Sequence, residues 1–402
     1  MARAQRAACI AAINEGKQMY FRKCLLTVLA AGFACTGAHA DDATSEPIES
    51  AAATFRVEHV AGNLSIPWAM AFLADGRAVV SERAAGRLTL LELATGELTS
   101  LDNGPADIFV RANAGMLDVR AHPQFTDNGW IYYAYTAGTE ALNTTVVERA
   151  RLDGSRLINR ERIFEALPWF HGDIVYGCRL AFRDGYLYVT MGERWDLRHL
   201  AQSVGSHLGK VMRLHEDGSV PDDNPFVDVP GAAAAVWSYG HRNPQGLTVH
   251  PQTGELWLHE HGPRGGDEVN LVHRGRNYGW PIVSYGKEYS GEPVDPGRKG
   301  HTGMEDMEGP VHYWDPSIAP SGMMFYDGDA FPGWRGDMFI GALAGAYISR
   351  LVMKGATVIG EERLLEDALR RVRFLEQGPE GYIYFGVDGG EILRLVPAHT
   401  PR

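Results

Sequence analysis

The chain has 402 residues, 45% hydrophobic and 22% charged, with 47 Gly and 21 Pro; this is the profile of a globular, turn-rich protein and excludes a disordered tail or a coiled coil. Lys and Arg number 38 against 50 Asp and Glu, a net charge of −12. That balance argues against nucleic acid or an anionic membrane as partner, since both need a basic surface, and leaves small neutral ligands open.

In chain order, Phe21-Arg22-Lys23 precedes an apolar stretch from Leu25 to Cys35 and then Ala38-His39-Ala40, the charged, apolar, small-x-small order of a secretory signal peptide. The run is too short to span a bilayer. Residues 1–40 are expected to be removed, with Met19 as an alternative start and the periplasm or the exterior as destination; an N-terminal amphipathic helix is the competing reading. About 360 residues then remain, enough for a large core. They carry 33 Lys and Arg against 49 Asp and Glu, a net −16. Cys9, Cys24 and Cys35 leave with the signal, so Cys178 has no internal disulfide partner. Asp41 to Ala53 reads as a flexible lead-in to one folded domain over 54–398.

From Phe55 the apolar residues alternate in short runs between Gly, Asp and Asn, with no sustained 3.6 period, which predicts an all-β chain. A turn ending in glycine recurs before an alternating strand at Gly76, Gly129, Gly185, Gly254, Gly336 and Gly381, with spacings of 53, 56, 69, 82 and 45 residues. Arg-Leu pairs trail four of these turns, at Arg151-Leu152, Arg213-Leu214, Arg350-Leu351 and Arg394-Leu395. Six such units of four antiparallel strands predict a six-bladed β-propeller, in which each blade buries its faces against two neighbours. Phe55–Val60 is expected to pair beside Glu391–Val396 and close the ring. A β-sandwich or a two-domain protein is the alternative, and the longest gap is where an extra loop would sit.

Two loops concentrate polar groups. His259-Glu260-His261-Gly262-Pro263-Arg264-Gly265-Gly266-Asp267-Glu268 combines carbonyl-exposing Gly and Pro with carboxylates, the oxygen coordination of a hard cation such as calcium. Zinc is disfavoured, because alternating strand residues point to opposite faces; a solvated turn without metal stays open. Tyr239-Gly240-His241-Arg242-Asn243-Pro244-Gln245-Gly246 sets an arginine beside an amide in a tight loop, suited to a planar anion, or else to a structural pairing between blades. Arg371-Val372-Arg373 puts two guanidinium groups on one face of an extended segment.

These loops, with Asn277-Tyr278-Gly279-Trp280-Pro281, Ser206-His207-Leu208-Gly209-Lys210 and Ala319-Pro320-Ser321-Gly322-Met323, resemble the soluble quinoprotein aldose sugar dehydrogenases of the glucose/sorbosone dehydrogenase family. The similarity runs from about Phe55 to Val396. It implies a six-bladed propeller, a periplasmic location, pyrroloquinoline quinone (PQQ) and calcium as cofactors, and oxidation of the anomeric carbon of aldoses to lactones. By the same resemblance, Arg242, Asn243, Tyr289, Arg371 and Arg373 match cofactor contacts, with Asn113 where a glutamine is usual. Main-chain oxygens of Gly262 and Pro263 match ligands of the cofactor calcium, and Glu268 and Tyr278 ligands of a further calcium.

The chain departs from the pattern at the base. The family motif His-x-Gly-x-Arg-Leu is matched by Val175-Tyr176-Gly177-Cys178-Arg179-Leu180, and valine accepts no proton. Glu193 stands where an acid orients the base, and His171, four residues before Val175, is a substitute base only if its loop is rearranged. Ala344 replaces a lysine found in some members, and Phe374 a common aspartate. The leading expectation is an exported sugar dehydrogenase, monomer or homodimer, taking a small aldose and passing electrons to an acceptor that the sequence does not name. A non-catalytic binder of PQQ, calcium or sugar and a protein-interaction propeller are the alternatives.

Overall fold

The computed structural model describes residues 45–294, 306–368 and 370–398; the expected signal peptide and the start at Met19 lie outside them. All six repeat glycines adopt a left-handed backbone, with φ of 84° at Gly76, 68° at Gly129, 76° at Gly185, 70° at Gly254, 89° at Gly336 and 80° at Gly381. Glycine enters this region without the Cβ penalty of other residues. Each therefore shapes the turn into the second strand of a sheet. At Asp184-Gly185 both residues have positive φ, and Arg183 faces Tyr186 across the hairpin, the two-residue turn whose twist matches its strands.

The sheets are six antiparallel blades. The first holds Pro67–Phe72, Arg77–Glu82, Arg87–Glu92 and Leu98–Ser100; the second Met116–Ala121, Trp130–Gly138, Asn143–Asp153 and Arg156–Glu165. The third holds Leu180–Arg183, Tyr186–Met191, Lys210–His215 and Val236–Tyr239; the fourth Pro244–Val249, Leu256–Glu260, Asp267–Leu271 and His312–Trp314. Pro320–Phe325, Met338–Ala342, Ile348–Lys354 and Thr357–Leu364 make the fifth. The sixth joins Val372–Gln377, Ile383–Val387 and Ile392–Pro397 to Thr54–Ala61 from the start of the domain. Phe55 faces Pro397 and Val57 faces Leu395, so the ring closes through both chain ends, as expected. Ile48–Glu49, in the stretch read as a lead-in, adds a fifth strand to this blade.

The first strand of each blade packs against the first strands of both neighbours, and the sixth returns to the first. Close approach dictates small residues there. A Cβ on Gly322 would collide with the backbone of Phe374 and Leu375, which explains the glycine in Ser321-Gly322-Met323. Phe374 is itself buried, its ring against Gly386. One side chain ties the ring along its axis: Arg179, 2% exposed, donates to the carbonyls of Trp68 (3.1 Å), Gln245 (2.8 Å) and Arg373 (3.3 Å) and to Asp118 Oδ1 (3.3 Å). Standing just before the third blade, it joins that blade to the first, second, fourth and sixth. The longest glycine spacing is filled by the connection from Leu271 to His312, which carries Tyr278, Trp280 and Tyr289 over the same end of the ring as Arg242.

Candidate active site

The fourth blade supplies the centre. Glu260, at the end of its second strand, accepts the Arg242 amide on Oε2 and pairs with His241 Nδ1 at 2.9 Å through Oε1. That carboxylate fixes the loop, and Arg242 Nη1 then donates to the carbonyls of His261 (3.0 Å) and Gly262 (2.7 Å). The guanidinium lies 5.2 Å from the Trp280 ring and 5.7 Å from that of Trp195. Its Nε has no partner, and neither has Trp280 Nε1. Asn243 Oδ1 accepts from the Gly177 amide at 3.1 Å and from Gln245 Nε2 at 3.2 Å.

Arg242 opens onto a cavity of about 300 Å³ whose other walls include Glu193, Trp195, Pro263 and Trp280, with Asp196, Arg198 and Glu288 around it. Glu193 is 1% exposed, and its amide donates to the Arg242 carbonyl at 3.0 Å. Burial pushes its carboxyl up to about 7 against the pull of Arg242. A second space of about 610 Å³ shares Pro263 and is lined by Arg264, Tyr289 and Ala344 among others. The exposed Tyr289 ring stands 5.5 Å from Trp195.

Asp388, which the sequence reading missed, gathers the two remaining arginines. It accepts Arg371 Nε at 3.0 Å and both Arg373 Nε (2.8 Å) and Nη2 (2.9 Å). Arg373 also lies 4.4 Å over the Trp68 ring, and burial lowers its guanidinium to about 10. Arg242 and Arg373 both bear electrostatically on His261, which burial holds below its usual range. Burial would raise the Asp388 carboxyl, but the two arginines outweigh it and hold it below its ordinary value. A depressed carboxyl stabilises the fold above the unfolded pKa and loses that contribution as pH falls through the folded one. Asp388→Asn is therefore expected to flatten the loss of melting temperature on acidification below about pH 5, read by thermal unfolding across the acid range.

Three of the four residues expected to hold calcium line one crevice. Gly262, Glu268 and Tyr278 line it with Glu260 and Arg242, and Pro263 follows at the cavity wall. The Gly262 amide donates to Asp267 Oδ1 at 2.9 Å, while Asp267 Oδ2 holds the amides of Ile318 and Ala319, both at 2.9 Å. Glu268 faces Glu260 across the strands; burial and that neighbouring carboxylate hold its carboxyl well above the usual range. The Tyr278 hydroxyl donates to the Leu271 carbonyl at 2.6 Å. Among the described residues no group of three or more His, Cys, Asp or Glu side chains is placed to hold a metal, so a cation here would draw on main-chain oxygen.

Two sequence candidates, and the valine at the motif's histidine position, are not among the residues lining the cavity. Asn113 is exposed, its amide bonded to the Asp173 carbonyl at 3.0 Å. The His171 side chain is 59% exposed, its ring tilted against Phe170 and its Nε2 3.8 Å from Asp196 Oδ2, at the rim and not among the lining residues. Val175 is buried with φ of 58°, a conformation that costs a β-branched residue about 1–3 kcal/mol. Its carbonyl accepts the Arg194 amide at 3.2 Å, and a Cβ on Gly192 would strike it.

The arrangement fits a planar polyanion beside a hard cation. Arg242 and Trp280, which line the cavity, each keep a buried N–H without a partner, and the 262–266 loop is packed so closely that a Cβ on Gly262 would strike the Gly265 and Gly266 carbonyls. A carbonyl already bonded to Arg242, as at Gly262, keeps a second lone pair.

The glucose/sorbosone dehydrogenase family model matches residues 64–394. Aldose sugar dehydrogenase YliI of Escherichia coli is 38% identical over 359 residues, covering 88% of this chain and 96% of that protein. The apo crystal structure of the soluble aldose sugar dehydrogenase from E. coli superposes with a TM-score of 0.81 at 38% identity, covering 85% of this chain and 99% of that one. The PQQ-bound aldose sugar dehydrogenase of Streptomyces coelicolor does so with 0.68 at 27% identity, over 84% and 96%. With the propeller, the arginine-lined mouth and these matches in place, the chain belongs to the glucose/sorbosone dehydrogenase family.

Proposed function

We propose that the protein is an exported quinoprotein dehydrogenase that oxidises the anomeric C–OH of an aldose to a lactone, with PQQ and calcium at the mouth of the propeller. The observation that carries this reading is Arg242, a buried guanidinium beside Trp195 and Trp280 that lines the cavity, has an unpartnered Nε–H and bonds the Gly262 carbonyl. Such a group stabilises negative charge in a water-poor site far better than in solution. Bound there, the quinone supplies a two-electron acceptor and the calcium polarises it. Arg371 and Arg373, pinned by Asp388, present fixed positive charge to carboxylates. Gly262 and Pro263 offer oxygens to the cation, and the tryptophan faces exclude water from the reacting bond. Among the described residues no helix is long and apolar enough to cross a membrane.

The test is reconstitution of residues 41–402 with calcium and PQQ. Quinone absorbance that stays with the protein through gel filtration, and saturable dye reduction by aldoses, are expected; neither one appearing would overturn the assignment. Val175, an aliphatic side chain at the motif's histidine position, favours a second reading, a binder that keeps the quinone without turnover. Absorbance without dye reduction would select it.

A further inference from the structure

We propose that Glu193 is the general base of this site, its Oε2 taking the proton of the sugar's anomeric hydroxyl. The inference rests on the dehydrogenase reading above. Three carboxylates border the cavity beside Arg242, and two are otherwise engaged. The Asp196 side chain is 64% exposed, so water solvates it. Glu288 is paired with Arg198 at 2.5 Å. Glu193 is buried, and its Oε2 has no hydrogen-bond partner.

A buried carboxylate oxygen without a donor is costly, and such groups call for an explanation. A sugar hydroxyl entering the cavity would provide that donor. The position is rigid: the Glu193 amide is bonded to the Arg242 carbonyl, and the next amide, of Arg194, to the Val175 carbonyl. The base and the guanidinium therefore share one support. Val175 offers no acceptor, and His171 stands out at the rim.

The groups acting on Glu193 are Arg242 and Arg198, which favour its ionised form, the Trp195 amide, which does the same, and Asp196, which opposes it. Burial outweighs them, leaving the carboxyl near neutrality, where a base is both available and strong enough to work. In the step itself the anomeric O–H bond breaks and its proton passes to Oε2. With the quinone bound, the C1–H hydrogen would leave with its electron pair as a hydride to the quinone, and the C1–O bond would become the lactone carbonyl. The sugar loses two electrons and the quinone gains them.

Glu193→Gln keeps the shape and removes the base. Two measurements are made on it and on the wild type, after circular dichroism has shown both folded. In the cofactor-free chain, infrared difference spectroscopy is expected to show a protonated-carboxyl band that titrates near pH 7 and is missing from the variant. In the protein loaded with calcium and PQQ, quinone absorbance should be unchanged, while kcat falls by about 10²–10⁴-fold and the rise of rate through neutral pH disappears. A wild-type band that titrates in the ordinary carboxylate range, or a variant kcat within about threefold of wild type, overturns the base assignment alone. Loaded wild type that fails to turn over overturns the dehydrogenase reading and the base with it.

Discussion

Arg242→Leu is expected to lower kcat/KM by about 10²–10³-fold, the usual cost of removing one preorganised donor to a developing oxyanion, while the propeller stays folded. Three features make this arginine hard to replace. Its planar fork bonds the His261 and Gly262 carbonyls with one nitrogen and leaves Nε for a ligand. Its faces meet Trp195 and Trp280, which a leucine would touch without directionality. Its backbone is held independently by Glu260, so loss of the side chain should not release the loop. Arg242→Lys keeps the charge but cannot present the same fork, so it should recover only part of the rate. Steady-state kinetics on aldoses with the loaded protein separate the cases: a fall in kcat at constant quinone content marks a role in the reaction, whereas a fall that tracks lost absorbance marks cofactor binding alone. Wild-type kinetics in the leucine variant would remove Arg242 from the site.

The propeller was legible because its turns repeat a stereochemical necessity. Gly76, Gly129, Gly185, Gly254, Gly336 and Gly381 each need positive φ, and that requirement is written in one letter of sequence. Closure through Phe55–Val60 was legible from a strand's alternation; Ile48–Glu49 was not, since two paired residues carry no period. In the site, Arg242 and Gly262 stand in loops whose composition suits binding, and Arg373 stands in the first strand of the last blade beside a second arginine. Asp388 escaped notice because it follows Arg373 by 15 residues, across the hairpin of the same blade, and a lone aspartate in a turn signals nothing. The isolation of the Glu193 oxygen was equally hidden. It depends on walls supplied by Arg242, Pro263 and Trp280 from the fourth blade, and burial of that kind is a property of the assembled ring. The same holds for His171, close to Val175 in sequence but turned to the rim.

The largest stability effect should come from the axis. Arg179→Met is expected to destabilise the domain by about 3–5 kcal/mol, because removing one partner of a buried pair strands the other. Asp118, fully buried, would keep the Leu180 amide at 2.7 Å and Arg120 at 3.5 Å but lose its axial cation. The carbonyls of Trp68, Gln245 and Arg373 would lose donors at the same time, each an additional cost. Since whole domains are stable by about 5–15 kcal/mol, the variant should sit near the edge of folding at physiological temperature. Pairing the change with Asp118→Asn removes a buried charge that Arg179 no longer offsets and should recover part of the loss, giving a coupling energy of about 0.5–3 kcal/mol in the double-mutant cycle. Arg335→Ala, at the exposed contact with Asp329, serves as the control and should change stability by less than about 1 kcal/mol. Guanidinium unfolding midpoints at constant slope measure all five proteins, the wild type, the two single variants, the double variant and the control, and an Arg179→Met loss no larger than the control's would show that the ring is held by its blade faces alone. A loss of the expected size would also explain why a binding residue and a structural one lie so close together: the main chain of Arg373 is anchored by Arg179 while its side chain reaches Asp388, so the rigidity of the mouth is inherited from the axis beneath it.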